Sequence, residues 1–215
     1  MPRADQPVAH KNGNDTALAV PMWISGYNQK CAIDAEMRYT VRADGTFALS
    51  ISGKPVGTWE SDWPRIGVTL RIPLDFHHAR WYGRGPGETY PDTFAAGRFG
   101  VWSGDARKMW TSYAVPQESG SMMDTRWLTL ADASGTGMRI SADAPFTFSV
   151  SRFEQANVDK AKHPHELVAK NYLILNLDIA QAGIGSNSCG PELPPEYRID
   201  PRPFSFTWVF TPAKS

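Results

Sequence analysis

The chain has 215 residues, 41% of them hydrophobic, which predicts a globular protein with a sizeable core. Its 22 basic and 22 acidic residues balance, and no Lys/Arg run forms a patch, so we expect neither nucleic acid nor a membrane as a partner. No segment approaches the roughly 20 apolar residues that span a bilayer. The two cysteines, Cys31 and Cys189, have no zinc or disulfide-framework spacing, and we expect a cytoplasmic protein with free thiols.

Alternating apolar residues predict most of the chain to be β-strands. Residues 1–21 are polar, and we expect them to be irregular or disordered. Residues 32–41 (AIDAEMRYTV) and 46–51 alternate with period 2, and Asp44-Gly45 predicts the turn of a hairpin. Further strands are predicted at 66–72, 76–82, 98–102, 126–131, 138–141, 146–151, 172–180 and 204–210.

The single predicted helix lies near residues 153–162 (FEQANVDKAK), which are rich in helix formers and are followed by Pro164. Short strands separated by Gly, Pro and Asp are typical of an all-β sandwich. We find no internal repeat or linker, and therefore expect one domain over residues 22–215.

A first candidate site is the stretch WYGRGPGETYPD, residues 81–92. Two carboxylates in one loop could act as acid and base in glycoside hydrolysis. No partner histidine accompanies them, so we interpret the stretch as a structural turn in which Glu88 accepts backbone N–H groups and Tyr90 fills the core. The turn residues are Gly83, Gly85, Pro86, Glu88, Tyr90 and Asp92. We predict no catalytic residue and no metal ligand.

A second candidate is the loop GIGSNSCGPELPPEY, residues 183–197, which follows a predicted strand. Asn187, Ser188 and Cys189 place small polar groups at its tip, where binding residues are often carried on a β scaffold. No His or Asn forms a nucleophile signature with Cys189. We therefore expect this loop to make packing or binding contacts and not to catalyse a reaction.

Four stretches in the same order resemble the C-terminal domain, or small chain, of glycoside hydrolase family 2 β-galactosidases. They are WYGRGPGETYPD, YAVPQESG (113–120), FSVSRFEQANVDKAKHPHEL (148–167) and LNLDIAQAGIGSNSCGP (175–191), and the likeness covers residues 37–210. The resemblance implies an antiparallel β-supersandwich similar to galactose mutarotases, packed against a catalytic TIM barrel. It also implies that this chain lacks the first strands of that sandwich, so unpaired edges should seek another polypeptide.

The resemblance implies that the complete enzyme hydrolyses terminal β-D-galactosides such as lactose. The catalytic glutamates lie in absent domains, so this chain alone is expected to be inactive. The implied partners are the TIM-barrel domain or large subunit and a carbohydrate substrate; no cofactor is expected here, with magnesium and sodium in the complete enzyme. In the family, a tryptophan in a loop resembling GVGGDNSWG stacks on the aglycone. Cys189 occupies that position here, beside Asn187 and Ser188.

Two alternative functions stay open at this point. The first is a stand-alone aldose epimerase, for which His78 and Glu88 are the sensible acid and base. The second is a non-catalytic carbohydrate-binding module with an exposed tryptophan platform, drawn from Trp63, Trp102, Trp110 or Trp127.

Overall fold

The computed structural model describes residues 2–13, 15–26, 30–185 and 193–213, and it confirms an all-β fold. Every strand pairing within it is antiparallel. The strands are β1 Pro2–Ala4, β2 Val8–Asn12, β3 Asp15–Ile24, β4 Ala32–Val41, β5 Phe47–Val56, β6 Arg65–Pro73, β7 His78–Gly85, β8 Arg98–Asp105, β9 Met122–Ala131, β10 Gly137–Ser151, β11 Tyr172–Gln181 and β12 Phe204–Ala213.

One long strand, β10, connects the two parts of the sandwich. Residues 137–142 pair with β12 on one side, and residues 137–141, 146 and 148 pair with β9 on the other. Residues 147–151 pair with β11. The order along the main sheet is β1-β3-β4-β5-β12-β10-β9-β7-β8, while β11 joins β10 to β6, and β2 pairs with β3. Register shifts after Ser141 and after Phe146 bend β10, so the strand takes part in both layers.

The core lies between these layers, because alternate side chains of each strand point inward. Trp81 of β7 packs edge-on against Phe148 of β10, with ring centroids 5.8 Å apart. The other large, fully buried side chains are Leu49, Leu128, Leu130, Ile140, Phe146, Leu173, Leu175, Leu177 and Trp208, together with Tyr90. The predicted period-2 pattern therefore identifies most of the core.

The predicted hairpin is confirmed, since β4 and β5 pair over their whole length. Its turn is closed by a hydrogen bond from the N–H of Arg42 to the carbonyl of Thr46, 2.8 Å long, and Gly45 adopts a φ of 83°. The strands predicted at 138–141 and 146–151 are parts of β10. The helix is shorter than predicted, because α1 covers only Gln155–Val158.

The expectation of irregular structure over residues 1–21 is wrong, because this segment contains β1, β2 and most of β3. Nine residues of β3 pair with β4 in continuous register, and β2 and β1 pair with β3 in turn. These strands are neighbours in sequence, since Asn12 pairs with Asp15 and Ile24 pairs with Ile33. Asn12-Gly13 is a typical hairpin signal and apolar residues alternate in β3, so local signs of β2 and β3 are present beside the polar residues of β1 and β2.

The β6 edge is open: in the described part of the chain β6 pairs with β11 on one side only. An apolar groove of about 670 Å³ lies beside it, lined in part by Met22, Ile24, Ile33, Met37, Trp63 and Phe204. None of the helices in the described part of the chain could span a lipid bilayer.

Candidate functional site

The structure brings the two candidate loops together through Asp92. Its carboxylate accepts hydrogen bonds from the backbone N–H of Ile184, at 3.1 Å, and of Gly185, at 2.5 Å. Gly183 passes so close that an added Cβ would lie 2.7 Å from Asp92 Cγ and 2.8 Å from Leu193 Cδ1. The N–H of Gly183 donates to the carbonyl of Tyr197, 3.0 Å away. Asp92 therefore fastens the beginning of the loop at residues 183–197.

The predicted contact residues of this loop, Asn187, Ser188 and Cys189, lie outside the described residues. The structure describes both flanks of them, residues 183–185 and 193–197. Their role in binding stays a prediction.

Glu88 links the first candidate loop to the segment at residues 113–120. Its Oε2 accepts the N–H of Gly120 at 2.7 Å, and the hydroxyl of Tyr113 donates to Oε1. This hydrogen bond to Glu88 raises the pKa of Tyr113 to about 12. Glu88 does accept a backbone N–H, but the donor comes from a distant segment and not from its own turn. We call the carboxylates of Glu88 and Asp92, with the donors that they bind, the clasp.

Tyr90 lies between the two carboxylates of the clasp in sequence and is fully buried, with 0% exposure. Its N–H donates to Thr93 Oγ1 at 3.0 Å, where the short 3-10 helix Pro91–Ala96 begins. Burial, with Glu88 and Glu118 nearby, raises the pKa of Tyr90. Its ring thus fixes the loop to the core and leaves the flanking carboxylates to bind other segments.

Two of the predicted turn glycines lie in a strand instead, because β7 continues to Gly85 and the turn begins at Pro86. Neither Gly83 nor Gly85 has a positive φ. They are required by close packing: a Cβ at Gly83 would lie 2.8 Å from the Cα of Thr125, and one at Gly85 would lie 2.8 Å from Trp102 Cδ1.

A partly buried ion-pair network, in which Asp178 is fully buried, lies next to the clasp. The guanidinium of Arg65 binds both oxygens of Asp178, at 3.0 and 2.5 Å, and its Nη1 binds Glu118 Oε1 at 2.5 Å. Gln181 donates to the same Glu118 oxygen at 3.2 Å and accepts from Ser121 Oγ at 2.8 Å. Burial raises the pKa of the Asp178 carboxyl, and Arg65 opposes that rise.

Sequence reasoning missed this network, although one signal was present. Asp178 is a lone carboxylate in the apolar run of β11, LILNLDIA, and its side chain is only 2% exposed. A charged residue in a central strand needs a buried partner, which Arg65 supplies from the neighbouring β6.

The clasp is suited to fastening loops and not to acid–base chemistry. Both oxygens of Glu88 and both oxygens of Asp92 already accept hydrogen bonds from the protein. Among the described residues, no group of three or more His, Cys, Asp or Glu side chains could hold a metal ion.

The geometry disfavours the epimerase pair and two of the four candidate platform tryptophans. His78 begins β7 and Glu88 follows its other end, and a strand of eight residues is about 23 Å long, which is too far for one sugar to touch both. Trp63 is buried, with 5% exposure, and cannot form a platform. Trp127 faces outward, but the guanidiniums of Arg80 and Arg139 lie over its ring.

Comparison with known proteins identifies the family. Residues 4–210 match the family model described as "Beta galactosidase small chain". The chain belongs to this family. It is 37% identical over 158 residues to a protein named Beta-galactosidase from Arthrobacter sp. (strain B7), a match that covers 71% of this chain and 16% of the relative.

Two further relatives carry the same name. The one from Vibrio vulnificus (strain CMCP6) is 37% identical over 155 residues, which is 70% of this chain and 14% of the relative. The one from Kluyveromyces lactis is 31% identical over 198 residues, which is 91% of this chain and 19% of the relative. The chain therefore spans less than a fifth of the length of these three relatives.

Proposed function

We propose that this chain is the non-catalytic small chain, or C-terminal domain, of a glycoside hydrolase family 2 β-galactosidase. Assembled with a catalytic TIM-barrel domain or large subunit, it takes part in the hydrolysis of terminal β-D-galactosides such as lactose. The observation that carries the proposal is the family match over residues 4–210. In this proposal the enzyme acts in the cytoplasm, and its magnesium and sodium bind outside this chain.

The clasp supports a non-catalytic role. A glycosidase needs one carboxylic acid that donates a proton and a second carboxylate that acts as nucleophile or base. Glu88 and Asp92 both act as acceptors for N–H or O–H groups of other segments, so neither presents a reactive oxygen to a sugar. The catalytic pair of the proposed enzyme belongs to its partner.

The open edge of β6 supports the need for that partner. An unpaired edge strand beside an uncovered apolar groove normally binds another chain or aggregates. The groove of about 670 Å³ is lined mainly by apolar side chains from β3, β4, β5 and β6, with Phe204 at its end. We propose that the partner polypeptide covers this groove.

Reconstitution tests the proposal directly. The chain and the TIM-barrel polypeptide encoded upstream of it or beside it are purified separately and mixed, and lactose hydrolysis is measured. We expect neither component to be active alone and the mixture to be active. Hydrolysis by the isolated chain, or full activity of the partner without it, would contradict the proposal.

A matched pair of variants in β4 tests the contact surface. Ile33 lines the apolar groove, whereas Val41, at the other end of the same strand, is 52% exposed and away from it. We expect Ile33→Arg to weaken association with the partner by about tenfold or more, and Val41→Arg to leave it unchanged, because only the first places a charge in a buried contact. Equal effects of both substitutions, in folded variants, would exclude the groove as the contact.

We further propose that Asn187, Ser188 and Cys189 border the aglycone side of the assembled active site. A thiol in place of an aromatic ring removes a stacking contact worth about 1 kcal/mol, or roughly a fivefold change in affinity. Cys189→Trp in the assembled enzyme should therefore favour an aryl galactoside over lactose by about that factor. Unchanged selectivity would refute this assignment.

A further inference from the structure

A row of polar side chains crosses five adjacent strands on the outer face of the sheet. Arg80 of β7 lies opposite Ser103 of β8 and opposite Thr129 of β9. Thr129 lies opposite Arg139 of β10, which in turn lies opposite Thr211 of β12. We call these five residues the outer row. It alternates hydroxyl and guanidinium groups, all of which are hydrogen-bond donors.

The two guanidiniums of the outer row have no carboxylate partner in the part of the chain that the structure describes. Both lie over Trp127, with Arg139 Cζ 4.3 Å and Arg80 Cζ 5.8 Å from its ring. Stacking holds a guanidinium in place while the N–H groups at its edge stay available for hydrogen bonds in its plane. Trp127 thus arranges two cations side by side.

The surrounding groove is cationic. It encloses about 770 Å³, and Asp105 is the one carboxylate among the described residues that line it. Arg107 binds both oxygens of Asp105, at 2.9 and 2.7 Å, and lowers the pKa of that carboxyl to about 2. Asp105 is thus neutralised by Arg107, and the charges of Arg80 and Arg139 stay uncompensated within the groove. His77 and His78 line the groove as well.

We propose that the outer row binds a phosphoryl group, either as inorganic phosphate or as a phosphate ester of a sugar. The Cα atoms of Arg80 and Arg139 are two strands apart, about 10 Å, so both long side chains can reach one anion above Thr129. Two guanidiniums balance the two negative charges of a phosphoryl dianion, and each guanidinium can donate two parallel hydrogen bonds to a pair of its oxygens. The Thr129 hydroxyl supplies a further donor between them.

Isothermal titration calorimetry on the full chain at low ionic strength tests the site, with inorganic phosphate, galactose 6-phosphate and galactose as ligands. We expect both phosphates to bind and galactose not to bind at this groove. Arg80→Gln and Arg139→Gln should each weaken phosphate binding by about tenfold. The matched control is Arg126→Gln, since Arg126 lies over Phe99 at 5.7 Å and is not part of the row; we expect less than about a twofold change there.

Equal affinity for the two phosphates identifies the phosphoryl group as the recognised feature, and tighter binding of galactose 6-phosphate shows that the sugar contributes as well. The absence of phosphate binding at millimolar concentrations, or an equal loss in Arg126→Gln, overturns the proposal. Guanidinium NMR signals of the unsubstituted chain give a test that needs no variant: phosphate should shift those of Arg80 and Arg139 but not that of Arg126. None of these measurements involves galactoside hydrolysis, so their failure would leave the proposed function untouched.

Discussion

The clasp and the outer row use charged side chains in opposite ways. In the clasp, the carboxylates of Glu88 and Asp92 accept N–H and O–H groups from segments far away in the chain. In the outer row, Arg80 and Arg139 lie over an aromatic ring and have no carboxylate partner among the described residues. The hydrogen-bond partners, and not the residue types, distinguish groups that hold a fold together from groups that can bind a ligand.

The ion pair beneath the clasp should give the largest effect on stability. Asp178→Ala leaves the partly buried Arg65 guanidinium with Glu118 as its remaining partner, and we expect the free energy of unfolding to fall by about 3 kcal/mol. The control is Asp34→Ala, which removes an exposed pair with Lys54 and should cost less than about 1 kcal/mol. Urea denaturation measures both; equal losses would mean that the network contributes no more to the stability of the fold than an exposed ion pair does.

The strand leading into the clasp should tolerate no side chain at Gly83. Its Cβ would meet the backbone of Thr125 at 2.8 Å, so we expect Gly83→Ala to cost about 1–3 kcal/mol. Gly87, in the same loop, has no atom within 4 Å of its ideal Cβ and provides the control. Thermal unfolding of the two variants should differ clearly, and a Gly83→Ala protein as stable as Gly87→Ala would show that β7 can move there.

Removing the carboxylate of Asp92 should loosen one loop without unfolding the domain. Asp92→Ala deprives the N–H groups of Ile184 and Gly185 of their acceptor, a loss of about 1–3 kcal/mol for local opening. Hydrogen exchange at these two amides should speed up, while exchange at Leu175 in β11 stays slow. Unchanged exchange at residues 184 and 185 would show that Asp92 does not fasten the loop.

The smallest expected effect is a change in the pKa of Tyr113. Glu88→Gln removes the charged acceptor that holds the pKa of Tyr113 at about 12, so that pKa should move back toward 10. Because the folded-state pKa is raised, this bond stabilises the fold fully below pH 10, and its contribution is lost as the pH rises to about 12. NMR titration measures the shift, with Tyr172, bound to Glu154, as an internal control that should not change.

Local sequence patterns, chiefly the alternation of apolar residues, predicted much of the fold and little of the clasp. Alternation located most strands from β4 to β12, because each has one face in the core. It was not recognised in β1 to β3, where polar residues surround the hairpin signal Asn12-Gly13 and the alternation of Leu18, Val20 and Met22. The hydrogen bond from Gly185 N–H to Asp92 joins residues 93 positions apart, and no local sequence pattern predicts such a contact.

The outer row was equally invisible in the sequence. Arg80, Thr129 and Arg139 align only once the registers of β7, β9 and β10 are known. A shift of any of these strands by one residue would turn its side chains to the other face. Trp127 was one of four tryptophans considered as a platform, but no pattern in the sequence indicated the two arginines that lie over its ring.

The most direct test of the account is the effect of Glu88→Gln on the enzyme reconstituted with its catalytic partner. If Glu88 belongs to a structural clasp, the melting temperature should fall while kcat per assembled enzyme stays within about twofold, because only a hydrogen bond between segments is weakened. A loss of kcat of about tenfold or more at an unchanged melting temperature would contradict the account and place Glu88 in the chemistry of the active site.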